Sequence, residues 1–190
     1  SGELPTDRYL FMTLAIGEGF GGLEHKHCTS LISKRSDLPT KALKAQSDGY
    51  RNFIALCSHE YFHLWNVKRI KPEVLKQSDL LSEAHTQLLW AFEGITSYYD
   101  ELGIVRCGAI ERNDYLTMLA SAMTRLSRTR GRERQSVAES SFDAWTKFYL
   151  QDANAPNVIV SYYNKVGLVS FGLDMWIRDV TQEQKTLDDV

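Results

Sequence analysis

The spacing of apolar and polar positions divides this chain into a short extended part and a longer helical part. Between Arg8 and Ile16 the run Arg-Tyr-Leu-Phe-Met-Thr-Leu-Ala-Ile is rich in β-forming residues and of strand length. Glycines from Gly17 to Gly22 interrupt it, and Leu23 to Ser33 reads as extended again. Residues 34–46 are polar, contain Pro39 and predict a loop. From about Ser47 to Asn66 the pattern becomes helical. Tyr50, Phe53, Ile54, Leu56, Cys57, Tyr61, Leu64 and Trp65 cover much of the circumference, as in a buried helix, with Ser47 or Asp48 as its cap. Lys68-Arg69-Ile70-Lys71-Pro72 ends it and reads as a solvated exit. A second helix is predicted over 83–102, with Leu88, Leu89, Phe92, Ile95, Tyr99 and Leu102 on one face. A third spans Glu111 to about Ser127. The arginine-rich run 128–134 that follows reads as a solvated loop. Another apolar helix begins at Phe142-Asp143-Ala144-Trp145 and ends near Leu150. Residues 151–158 form a loop, and Val160 to Lys165 leads into a last helix over about Gly167 to Val180. The expected class is therefore α+β, mainly α, with a small sheet near the start.

The chemistry begins within the buried helix, at His59-Glu60-Tyr61-Phe62-His63. Residues four apart on a helix share a face, so His59 and His63 can hold one metal ion between them, and two imidazoles suit Zn²⁺. Glu60 is offset by one residue. It can stand outside the ligand set and still reach the zinc-bound water as a general base. Burying two His and a Glu demands partners, and a metal supplies one. Catalytic zinc sites commonly add a carboxylate, and Glu93, set among Trp90, Phe92 and Ile95, is the expected third ligand. Ser97, Asp100 and Glu101 are all candidates to orient the imidazoles. Tyr162 and Tyr163 stand at a helix entry, where a phenol can either pack or donate to a developing oxyanion.

Composition narrows the field. The 190 residues carry a net charge of −2 and are 43% hydrophobic, which points away from a nucleic-acid partner. The glycines before Leu23 are not followed by the Lys-Ser/Thr of a phosphate loop. No apolar run is long enough to span a membrane. Cys28, Cys57 and Cys107 are widely spaced, which argues against a disulfide scaffold and for a reducing compartment. Ser1-Gly2, with no signal segment behind it, fits a domain cut from a longer chain.

Five blocks in one order carry a family resemblance. They are Gly21-Gly22-Leu23-Glu24-His25, His59 to Arg69, Leu89-Trp90 with Glu93-Gly94 and Thr96 to Tyr99, Ser141 to Trp145, and Ser161-Tyr162-Tyr163-Asn164-Lys165. Together they resemble the glycyl aminopeptidase family of gluzincin metallopeptidases (peptidase family sixty-one) over about residues 18–180. The resemblance implies one thermolysin-like zincin catalytic domain over 1–190. It also implies that full-length relatives carry an amino-terminal β-domain and often a carboxy-terminal PDZ domain. By the same motifs His59, His63 and Glu93 would ligate Zn²⁺ and Glu60 would activate water. Tyr163, or Tyr162 in its place, would stabilise the tetrahedral intermediate. Glu24, with Gly21 and Gly22 beside it, would bind the substrate's free amine. The implied activity is hydrolysis of peptide bonds, as an aminopeptidase in preference to an endopeptidase. The chain departs from the family where Val166 follows Lys165 in place of glycine and where Ala153 stands between Asp152 and Asn154. The rival expectations are a degenerate peptidase fold that only binds peptides and a closed structural zinc site. The sequence leaves the oligomeric state open.

Overall fold

The computed structural model describes residues 4–41, 46–79 and 81–190. Ser1-Gly2 and residues 42–45 of the predicted loop lie outside the described residues. The chain forms two compact units, Ser1–Lys71 with Tyr99–Arg112, and Pro72–Tyr98 with Asn113–Val190.

The first unit holds the sheet and the buried helix. Strands β1 (Leu10–Ile16), β2 (Gly21–Glu24) and β3 (Cys28–Lys34) lie in the order β1-β3-β2, with β3 parallel to β1 and antiparallel to β2. In the central strand Thr29, Leu31 and Ser33 are buried and the residues between them are not, as a strand with one covered face requires. That sheet packs on helix α1 (Asp48–Phe62). Ser47 caps α1 by accepting from the Tyr50 N–H at 3.1 Å. The helix stops at Phe62, four residues short of the predicted end. His63 Nδ1 turns onto the Asn66 carbonyl, and the Leu64 N–H bonds the Tyr61 carbonyl in a tightened last turn. The basic exit is not simply solvated. Arg69 donates to the carbonyls of Leu64 and Pro5, both at 2.8 Å, and Lys68 pairs with Glu24.

The second unit begins with helix α2 (Glu73–Gln77), and its last α-helix is long and followed by a 3₁₀ turn at Leu187–Asp189. Residues 83–88 are not helical, against expectation. His85 is tied to the Phe142 carbonyl, and Ser141 Oγ accepts from the Trp90 N–H, so the helix can start only there. It opens as a π-helical turn, Trp90–Gly94, and continues without a break into α3 (Ile95–Arg106), which crosses from the second unit into the first. Gly94 allows that turn to press on the last helix, since a Cβ there would meet Val166 Cβ at 2.4 Å. Helix α4 (Arg112–Arg128) matches its prediction within a residue. The arginine run after it is an ordered 3₁₀ turn, Arg130–Glu133, in which Arg132 donates to the Ser127 and Thr129 carbonyls.

Helix α5 (Val137–Phe142) ends where a helix was expected to begin. Ser136 and Glu139 form a capping box at its start, and the stretch Ala144–Phe148 is a separate π turn. The expected loop at 151–158 contains the short helix α6 (Ala155–Val158), with proline in its first turn. The last helix, α7 (Tyr162–Val180), starts five residues earlier than predicted because Ser161 caps it from the Asn164 N–H. Its buried positions Tyr162, Val166, Ser170 and Asp174 recur every four residues. The architecture is α+β and mainly α, with one small sheet near the amino terminus.

Candidate metal centre and its surroundings

Helix α1 delivers His59 and His63 side by side, with ring centroids 4.7 Å apart and planes at 89°. Both are buried. His63 Nδ1 lies 2.8 Å from the Asn66 carbonyl oxygen. A carbonyl only accepts, so Nδ1 carries the proton and Nε2 keeps its lone pair. His59 Nδ1 lies 2.8 Å from Asp100 Oδ2, which fixes the same tautomer when the acid is ionised. Burial pushes the Asp100 carboxyl up, while the bond from His59 opposes that shift. Of the three candidates for orienting an imidazole, Asp100 therefore holds His59.

Glu60, the residue after His59, is buried. Its own carbonyl accepts from the Tyr9 hydroxyl at 3.0 Å. Burial and then the Glu60 charge push the Tyr9 phenol up, so it remains a donor. Strand β2 passes directly over the Glu60 carboxyl. A Cβ at Gly22 would meet Glu60 Oε1 at 2.1 Å, so any other residue there requires the carboxylate to move. Gly21, one residue earlier, has open space around its Cα. Glu24 shares the face of β2 with Gly22, and Glu24, Glu60 and His63 offer ligand-type atoms that all lie within 4.8 Å of one another. Lys68 Nζ stands 3.0 Å from Glu24 Oε1. Cys57 takes no part in this group, and burial pushes its thiol up to about 11, which leaves it inert.

In the second unit Glu93 sits in the π turn at the start of the α3 run. Single π turns inside helices recur at functional sites. Glu93 stands close enough to Tyr162 and Tyr163 for its charge to act on both phenols. Burial is the larger cause of the rise at Tyr163, with Glu93 next, and the hydroxyl stays protonated as a donor. Tyr163 is half-buried and shares a 2.7 Å hydrogen bond with the Tyr149 hydroxyl. Tyr162 is fully buried against Phe148, with centroids 4.7 Å apart, and burial raises its phenol most.

Tyr9, Lys68 and Tyr149 were not singled out from sequence. Each reaches its partner by tertiary contact, and only the position of Lys68, five residues past His63, offered a local sign.

Residues 52–169 match the M61 glycyl aminopeptidase family. A solved structure described as an aminopeptidase N family protein, from Idiomarina loihiensis, is 44% identical and superposes with a TM-score of 0.93. The match covers 97% of this chain and 32% of that one, so this chain spans about a third of its length. No curated protein matches the chain.

Proposed function

From the premise that this chain belongs to the M61 glycyl aminopeptidase family, we propose that it is a zinc-dependent peptidase domain that removes amino-terminal residues from peptides. The observation that carries the metal reading is the pair of committed Nδ1 atoms. With each imidazole bonded at Nδ1 to an oxygen, Nε2 is the nitrogen that each ring would present to a cation. His59, His63 and Glu93 are the ligand set, and two imidazoles with one carboxylate are donors suited to a catalytic zinc ion. Chain continuity supports Glu93. It lies seven residues before Asp100, about two turns earlier on the same helical run and thus on the same face, and Asp100 holds His59. Zn²⁺, when bound, supplies a Lewis acid for the scissile carbonyl and lowers the pKa of water toward about 7.

The remaining steps belong to side chains of this chain. Glu60 takes the proton of the attacking water and passes it to the leaving amine. Its fit under Gly22 limits where that carboxylate can swing. Tyr163 donates its hydroxyl proton to the developing oxyanion, a contribution of roughly 10²–10³ in rate. Its half-buried position favours it over Tyr162, whose ring is enclosed. Glu24 receives the substrate's α-ammonium. A substrate's nitrogen and carbonyl carbon are only about 2.5 Å apart through one Cα. A carboxylate a few ångströms from the base therefore suits release of a single residue.

The test is elemental analysis of the purified chain beside Glu93→Ala and Glu60→Gln, with hydrolysis of glycyl and alanyl anilides. About one zinc per chain is expected, lost in Glu93→Ala and retained in an inactive Glu60→Gln. A wild-type chain that takes up no zinc at neutral pH overturns the reading.

A further inference from the structure

The carboxylate assigned to the substrate's ammonium already holds an ammonium of this chain. Lys68 Nζ is 3.0 Å from Glu24 Oε1, and each side chain is only about one-fifth exposed, at 21% and 20%. The pair is therefore partly withdrawn from solvent, unlike a surface ion pair. Lys68 is fixed by the turn that ends the metal-binding helix. Its N–H donates to the His63 carbonyl at 3.0 Å, and Val67 before it has φ of 148°, a value rare for a β-branched residue. The chain thus delivers a primary amine to the group formed by Glu24, Glu60 and His63. Two carboxylates so close repel each other, and the Lys68 charge offsets that repulsion.

We propose that Lys68 is a specificity-determining residue that competes with the substrate's amino terminus for Glu24. The inference rests on the peptidase reading above and deepens it. While Lys68 holds Oε1, the subsite carries little net charge. A free α-ammonium must then displace the lysine or share the carboxylate through Oε2. A peptide with a blocked amino terminus gives up less in this chain than it would against an unpaired Glu24. Lys68 thereby sets how strictly the domain demands a free amine.

The experiment compares the zinc-loaded wild type with Lys68→Met, Lys68→Arg, Glu24→Gln and the double variant Lys68→Met/Glu24→Gln. The substrates are a glycyl peptide anilide and its N-acetylated form. Lys68→Met should lower KM for the free-amine substrate about two- to fivefold, with kcat within about twofold. The acetylated substrate should not gain. Lys68→Arg should behave as wild type, which guards against a folding defect in the methionine variant. The KM gain should vanish when Glu24 is already glutamine. A fall in kcat for both substrates alike, or a KM gain that survives Glu24→Gln, overturns the proposal. Calorimetry with glycinamide separates this proposal from the peptidase reading. If the wild type hydrolyses nothing, the peptidase reading fails, and tighter glycinamide binding by Lys68→Met would still sustain the competition. Equal binding, or none by either protein, would overturn it.

Discussion

His59 is held from behind by Asp100, a residue 41 positions away, through a 2.8 Å bond from Nδ1 to Oδ2. That contact engages Nδ1 and fixes the plane of the ring. Partners of this kind typically change metal affinity about 10–100-fold when removed. Asp100→Asn keeps the shape but loses the charge, so it should weaken zinc binding by about that factor with the fold intact. Competition against a chelating dye, beside circular dichroism, measures both. Unchanged affinity would show that Asp100 does not position the ring.

Gly22 and Glu60 make a second, steric relationship. A methyl group at Gly22 would fall 2.1 Å from Glu60 Oε1. The carboxylate is buried, at 4% exposure, and must move to admit that methyl group. Gly22→Ala should therefore displace the carboxylate proposed as the base while leaving both imidazoles in place. A misplacement near 1 Å at a reacting group costs on the order of 10²-fold. The variant should retain full zinc and lose roughly that much in kcat. Normal turnover would mean that the carboxylate works from another rotamer.

The Tyr149 hydroxyl, 2.7 Å from that of Tyr163, orients the donor proposed for the oxyanion. Tyr149→Phe should lower kcat about three- to tenfold with KM little changed, the scale of one neutral hydrogen bond. Tyr163→Phe should cost about 10²–10³. A Tyr149→Phe variant as impaired as Tyr163→Phe would instead make Tyr149 the donor, and steady-state kinetics on one substrate tells the two apart.

Local features of this site were legible and distant ones were not. The shared face of His59 and His63 follows from helical geometry alone, and the pattern narrows the cap to Ser47 or Asp48, of which the structure uses Ser47. The choice of Asp100 over Ser97 and Glu101 depends on a tertiary pairing that spacing cannot supply. The apolar face expected over 83–102 misplaced the second helix for a related reason. Leu88 is exposed, while Thr96, Tyr98 and Asp100 are buried because each has a polar partner or a role at the site. Apolar periodicity does not register buried polar residues. The early start of α7 was available in Ser161, and the Ser136–Glu139 box marked the start of α5. Apolar periodicity registers neither of these caps. Lys68 read as solvated because a basic run after a helix usually is.

Asp174 anchors the carboxy-terminal segment to the second unit. Its Oδ2 accepts from the Tyr98 hydroxyl at 2.7 Å and from Arg178 Nε at 2.9 Å, and its Oδ1 from the Leu187 N–H at 2.6 Å. Burial pushes the carboxyl up, but the bonds from Leu187, Tyr98 and Arg178 outweigh burial and hold it below its ordinary value. The sign follows from linkage. The unfolded chain binds this proton at about pH 4, and the folded one only at lower pH. The stabilisation is therefore complete above about pH 5 and is lost as pH falls through the folded value. Asp174→Ala removes the acceptor used by the Tyr98 hydroxyl, Arg178 and the Leu187 N–H, so it should cost about 2–4 kcal/mol at neutral pH. In acid the gap between wild type and variant should close. Thermal unfolding of both proteins after chelation, from pH 7 to pH 2.5, removes metal loss from the comparison. Melting temperatures that converge below pH 4 are expected. A gap that stays constant with pH would mean that Asp174 acts by packing and not by charge.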